Sequence, residues 1–280
     1  MPKYTTADIK ALREKTGAGM LDVKKALDEA DGDMAKAEEI IRVKGLKGLA
    51  KREGRSTSDG LVAAKVVGAK GSQTGVMIEL NSETDFVAKA PKFVELADQV
   101  LEAAIAAGTD DLDTVLAAPA AGAASVKDAI EALSATLGER LQLRRVAVVS
   151  GPAVEVYLHR TNKDLPPQVG VLLATDDKAA SVAHDVAMHI AAYSPTYLAK
   201  ADVPEDLVAS ERRIAEQAAR EEGKPEQALP KIVEGRLTGF FKENVLLEQA
   251  FAKDPKQSVG KVVAASGGEV TGFARFRVGA

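Results

Sequence analysis

The chain has 280 residues, 46% of them apolar, and a formal net charge of −4, enough for one large unit or two to three small ones and too acidic for a general nucleic-acid binder. It has no Cys and no Trp, which excludes disulfides, thiolate catalysis and Cys zinc sites and leaves the core to Val, Leu, Ile and Ala. The start, Met1-Pro2-Lys3-Tyr4-Thr5, opens no apolar leader, and no apolar run reaches the roughly 18 residues of a membrane span, so a soluble cytoplasmic protein is expected.

Residues 1–55 read as a separate unit. Thr6 is placed to cap a helix carrying Ile9 and Leu12, which Gly17-Ala18-Gly19 breaks. A second helix carries Leu21, Val23, Ala26, Leu27 and Ala30 and ends at Gly32. Asp33 then caps a third, with Ala37, Ile40 and Ile41. Three short helices make a small core, which suits a recognition module on a tether. The expected tether is 42–55. Arg42, Lys44, Lys47, Lys51, Arg52 and Arg55 stand there against Glu53 alone, interrupted by Gly45, Gly48 and Gly54. RNA binding by this basic stretch is the alternative function. No aromatic is interleaved for base stacking, and a solvated helix and linker is the plainer reading.

From Asp59 the pattern turns to α/β, with a first subdomain expected over 56–140. Residues 61–67 and 75–80 predict two strands around the turn Gly68 to Gly71. A helix opens after Pro91, with Phe93, Leu96, Ala97, Val100, Leu101 and Ala104 on one face. An Ala-rich helical region follows through Leu116 and Val126 to Leu137. A second subdomain is expected over 141–280. It starts with strands at 144–149 and 154–159, turned by Gly151-Pro152, then a strand at 170–174 and a helix over about 178–192.

The two subdomains read as copies. Gly75-Val76-Met77-Ile78 matches Gly170-Val171-Leu172-Leu173, and Ala97-Asp98-Gln99-Val100 matches Ala183-His184-Asp185-Val186. The first copy is nine positions longer between these landmarks. The extra length is assigned to the segment holding Thr84-Asp85-Phe86-Val87-Ala88-Lys89, which makes it an excursion from the shared scaffold. Taken alone, Phe86 reads as a cap on the local core. As part of an inserted loop after a strand it reads as a presented aromatic.

Residues 203–251 interrupt the α/β scheme with a predicted helical hairpin turned at Gly223-Lys224-Pro225, a surface for a partner or for self-association. From Val259 to Gly279 the pattern returns to strand. No phosphate loop, dinucleotide fingerprint or nucleophile elbow is present, and His184 and His189, five apart on a helix, point to different faces. No metal site, cofactor or catalytic residue is assigned. A binding protein is a better reading than a small-molecule enzyme on the α/β core.

The chain closely resembles the bacterial elongation factor Ts family. The match is carried by Leu12-Arg13-Glu14-Lys15-Thr16-Gly17-Ala18-Gly19-Met20 with Asp22, Lys24-Lys25-Ala26-Leu27 and Gly32-Asp33, and by Thr84-Asp85-Phe86-Val87-Ala88-Lys89. Further on it rests on Arg144-Arg145, Met188-His189, Gly223-Lys224-Pro225, Val233-Glu234-Gly235-Arg236 and Val270-Thr271-Gly272-Phe273. The resemblance implies an α+β fold: a three-helix module of ubiquitin-associated type, two duplicated α/β subdomains with antiparallel sheets, and an inserted helical hairpin. It implies a guanine-nucleotide exchange factor, not an enzyme, whose partner is elongation factor Tu. Lys10, Arg13, Met20 and Leu21 would then face the partner's GTPase domain. Thr84, Asp85, Phe86 and Val87 would reach its nucleotide and magnesium site, and His159 would serve a contact of the second subdomain.

Overall fold

The computed structural model describes residues 3–280. Helix α1 (Thr6–Thr16) is capped one residue earlier than expected. The Thr5 side chain accepts from the Asp8 N–H, and the Asp8 carboxylate accepts in return from the Thr5 N–H at 2.7 Å. Gly17 closes the helix in the left-handed region at φ 81°, where a side chain would be strained. Helix α2 (Met20–Glu29) and helix α3 (Met34–Arg52), the latter capped by Asp33, complete a bundle around Leu12, Val23, Ala26, Leu27 and Ile41.

The tether does not exist as such. Helix α3 runs without a break through the basic stretch to Arg52. Its Gly45 is buried, and a Cβ there would fall 2.1 Å from the Ala135 carbonyl oxygen on a neighbouring helix. Only a residue without a side chain permits so close an approach, and the arginine two turns further along α3 adds to it: Arg52 Nη1 donates to the Ser134 carbonyl at 3.4 Å. A glycine that reads as a linker residue is a helix-packing residue.

Strands β1 (Asp59–Ala69) and β2 (Ser72–Ser82) form an antiparallel hairpin. A single helical turn α4 (Asp85–Ala88) follows. Then come α5 (Pro91–Ala107), α6 (Leu112–Ala117) and α7 (Val126–Leu137), the helix on which α3 rests. Strand β3 (Gln142–Gly151) differs from expectation. It does not turn back on its successor but pairs with β2, giving the sheet order β1-β2-β3. Pro152 carries the chain across to β4 (Ala153–His159), which pairs with β5 (Val169–Thr175) in a second antiparallel sheet. After a 3-10 turn at Ala179–Ser181 come α8 (Ala183–Tyr193) and the hairpin helices α9 (Glu205–Glu221) and α10 (Leu229–Asn244). A small β6 (Ala250–Phe251) and β7 (Asp254–Ser258) pair leads to α11 (Val259–Ala265) and β8 (Val270–Arg277). The stretch from Val259, expected to be strand throughout, therefore begins as a helix capped by Ser258. Strand β8 completes the order β4-β5-β8.

The two sheets pack face to face, with helices on both outer sides. Alternation along the central strands divides the core. Val76, Ile78 and Leu80 of β2 face α5 and α7, and Met77 faces the other sheet. In the same way Val171 and Leu173 of β5 face α8 and α11, and Leu172 meets Met77 and Val62 between the sheets. The two glycines that align the copies sit at this seam. A Cβ on Gly75 would come 2.8 Å from Val154 Cγ1, and one on Gly170 would come 2.5 Å from Val62 Cγ1 and 2.7 Å from Met77 Sδ.

The nine extra positions are not an insertion at Thr84–Lys89. From the strand ends, both copies make a short helical turn before the main helix: α4 after β2, and the 3-10 turn after β5. Six of the nine lie before Val100 within α5, which is longer than α8, two lie in β2 and one in the connection. No helix of the described residues is long and apolar enough to cross a membrane.

Two features generate predictions. Gly170→Ala should destabilise the fold by about 1–3 kcal/mol through overpacking at the seam, read from urea unfolding. His189, fully buried on α8, receives the Ala252 N–H on Nδ1 at 3.2 Å, so Nε2 carries the proton toward Gln249 Oε1 at 2.9 Å. Burial, outweighing the bond to Gln249, pushes its pKa below the usual imidazole value of 6.5. The unfolded chain therefore takes up the proton first. The stability that neutral His189 contributes is present above 6.5 and is lost as pH falls through and below that value. Unfolding free energy measured over roughly pH 5 to 8 should decline toward acid, and His189→Gln should flatten that decline.

Candidate functional site

Strand β2 is buried along most of its length and delivers the chain to Thr84 in a fixed direction. Ser82 Oγ donates to the Thr84 carbonyl at 2.9 Å, and the Thr84 side chain caps α4 by accepting from the Val87 N–H at 3.4 Å. In this one turn Val87 and Ala88 point into the first core. Phe86 therefore points out, and 74% of it is exposed. The reading of Phe86 as a cap on the local core fails because its two successors take that place. Asp85 is partly exposed and lies 3.9 Å from Lys89, whose Nζ stands 4.7 Å from the Phe86 ring centroid. Burial, and after it the Asp85 carboxylate, raises the Asp59 pKa at the start of β1. The tip thus presents an aromatic ring beside a carboxylate.

A large apolar side chain left in water is informative when nothing in the fold requires it. The same holds at the start of α2, where Met20 and Leu21 are 53% and 72% exposed. Lys10 and Arg13 are exposed on α1, with Lys10 Nζ 3.8 Å from Glu14. These two groups of residues share a mount. A Cβ on Gly17 would lie 3.0 Å from Leu137 Cδ2 in the last turn of α7, and Lys92 Nζ bonds the Lys15 carbonyl. Two residues beyond Leu137, Glu139 bonds Thr84. The turn before Met20 and the turn bearing Phe86 are both seated on the C-terminal end of α7.

His159 ends β4 and is exposed, its Nδ1 3.3 Å from the Tyr157 hydroxyl and its ring stacked on that of Tyr157. No hydrogen bond or ion pair among the described residues joins it to 84–87. Of the basic stretch, Lys44 pairs with Glu29, Arg55 with Glu83, and Arg52 is spent on backbone carbonyls, which leaves less of it free for an RNA. Among the described residues no cluster of His, Asp and Glu is arranged to hold a metal ion.

Residues 83–280 match the family model described as Elongation factor TS. Proteins named Elongation factor Ts from Beutenbergia cavernae, Micrococcus luteus and Renibacterium salmoninarum are 68%, 64% and 62% identical to this chain, with 100% of both chains covered in each case. The chain belongs to the elongation factor Ts family. The family match begins one residue before Thr84, and the full-length alignments extend over Lys10, Arg13, Met20 and Leu21 as well.

Sequence reasoning in this elongation factor Ts chain singled out Thr84–Val87 but missed Glu83 and Glu139, which grip the turn. Nothing local marks Glu139, 55 positions away from Thr84. Because Phe86 touches little of its own protein, Phe86→Ala should leave unfolding free energy within about 0.5 kcal/mol of wild type, measured by urea denaturation.

Proposed function

We propose that the chain is the guanine-nucleotide exchange factor for elongation factor Tu, acting in the cytoplasm without covalent chemistry. Family membership supports the general role, and one observation carries the mechanism: Phe86 stands 74% exposed on a turn whose first residue, Thr84, is held at both its N–H and its carbonyl. In this reading Phe86 enters the partner's GTPase domain as an apolar wedge near its magnesium site. Asp85 accepts from backbone N–H groups at a helix start there, while Thr84 and Val87 fix the turn. The wedge displaces elements that hold the metal, the phosphates lose counter-charge, and GDP leaves. Linkage makes the effect reciprocal, so incoming nucleotide expels the factor. Lys10, Arg13, Met20 and Leu21 form a second contact on the same domain, and His159 a contact elsewhere on the partner. The chain acts in three units: the helical module through residue 55, a first α/β unit from 56, and a second with its hairpin. The pairing of β3 with β2 favours a boundary between the last two at Pro152 over one at 140.

Burying a Phe contributes roughly 2–3 kcal/mol, and about 1.4 kcal/mol is tenfold in rate. Phe86→Ala should therefore slow release of a fluorescent GDP from elongation factor Tu by about ten- to a hundredfold in stopped flow. Release at the wild-type rate would discard the wedge.

A further inference from the structure

The turn that carries Phe86 is closed by a reciprocal brace of two carboxylates. Glu139, just past α7, accepts from the Thr84 N–H at 3.0 Å with one oxygen and from Thr84 Oγ1 at 2.6 Å with the other. Glu83, at the exit of β2, accepts from the Arg140 N–H at 2.6 Å. Each segment thus grips the backbone of the other. The brace is anchored on the α7 side, where Ser134 Oγ donates to the Glu139 carbonyl at 2.6 Å. It also reaches the N-terminal module. Arg55, three residues past α3, donates from Nη1 to both Glu83 oxygens at 3.2 and 3.3 Å, and Arg140 Nη1 donates to the Arg55 carbonyl at 2.5 Å.

We propose that Glu83 and Glu139 are positioning residues that set the direction of Phe86, and that Arg55 ties this setting to the helical module, so that Met20–Leu21 and Phe86 meet the partner as one two-point grip. This rests on the exchange reading of Phe86. An exposed ion pair alone would do little. Here each carboxylate is at least partly shielded, Glu83 to 19% side-chain exposure, and each takes a backbone N–H, which makes the bond both stronger and directional. Glu83, Glu139 and Arg55 belong to neither of the apolar cores on either side. Loss of the brace therefore changes the aim of the turn more than the stability of the fold, and small errors of aim are costly where a rigid group must enter a fixed site. The two contact points are also coupled: joined rigidly, the second engages at a high effective concentration once the first has bound.

The test uses the full-length chain and release of fluorescent GDP from elongation factor Tu over a range of factor concentrations. Glu139→Ala should lower the maximal release rate about tenfold and leave the half-saturating concentration within about threefold, with circular dichroism unchanged and the thermal midpoint lowered by only about 2–6 °C. Glu139→Gln, which keeps an acceptor for Thr84, should recover part of that loss. Arg55→Ala should do the reverse, raising the half-saturating concentration with a smaller effect on the maximal rate. Should Glu139→Ala not fold, Glu83→Gln carries the same expectation as a slowed maximal rate. Wild-type maximal rates in these carboxylate variants, with Phe86→Ala slow in the same assay, would overturn the positioning role alone. Wild-type rates in Phe86→Ala would instead remove the exchange reading beneath it.

Discussion

The contact on which the rest of the structure depends is the closure of one sheet on the other at Gly75 and Gly170. There Val62, Met77 and Leu172 interdigitate across a seam with no room for a further methyl group. Once the sheets are that close, the outward residues of β2 and β5 need helices to cover them, and α5 with α7 on one side and α8 with α11 on the other supply these. The direction in which each central strand leaves its sheet is then set as well. In the first half that exit becomes the turn at Thr84. In the second it becomes a plain 3-10 turn with no exposed aromatic. One scaffold, used twice, bears a tip on one side only.

A buried charge lies close to the seam and shows what several of the family-bearing motifs do. Glu79 is fully buried on β2, bonded by Arg145 with Arg144 at 3.9 Å, and Asn81 Nδ2 donates to it at 3.1 Å. Arg145 also lies over the Phe276 ring and donates to the Arg277 carbonyl at 3.0 Å, so it links the edges of the two sheets. His189 is likewise an internal residue, and Arg236 reaches from α10 to Glu222 at 2.7 Å to close the hairpin turn. Motifs distinctive enough to suggest the family are thus in part motifs of the fold. Others stay at the surface: Met20 and Phe86 lie within these motifs and are 53% and 74% exposed.

What was legible in the sequence follows the range of the interactions involved. The face of α5, the glycine turn after α1, the cap at Asp33 and the two long strands are set by spacing and local geometry, and they stand as read. Two misreadings are local, the cap at Thr5 and the helix that opens at Val259, and the others concern partners distant in sequence. Gln142–Gly151 looks the same whether it pairs forward or back, and only the side chains of β2 decide it. Gly45 looks like a linker until a carbonyl of α7 lies against it. The comparison of the two copies counted positions correctly but could not tell a longer helix from a longer loop. At the candidate site, the copy comparison marked Thr84 to Lys89 and the family resemblance named Thr84 to Val87. The exposure of Phe86 depends on Val87 and Ala88 entering the core, which no local pattern states.

The hairpin of α9 and α10 differs in kind from the sandwich. Its buried apolar residues are few, Ala215, Ala219, Leu229, Val233 and Leu237, and Arg212–Glu234, Arg220–Glu226 and Arg236–Glu222 run along its surface. Attraction between solvent-exposed charges is damped by mobile ions, whereas burial of hydrocarbon is not. The cohesion of this arm is therefore coupled to ionic strength, while that of the double sheet is nearly indifferent to it, and a single chain holds two parts that answer differently to the salt of their surroundings.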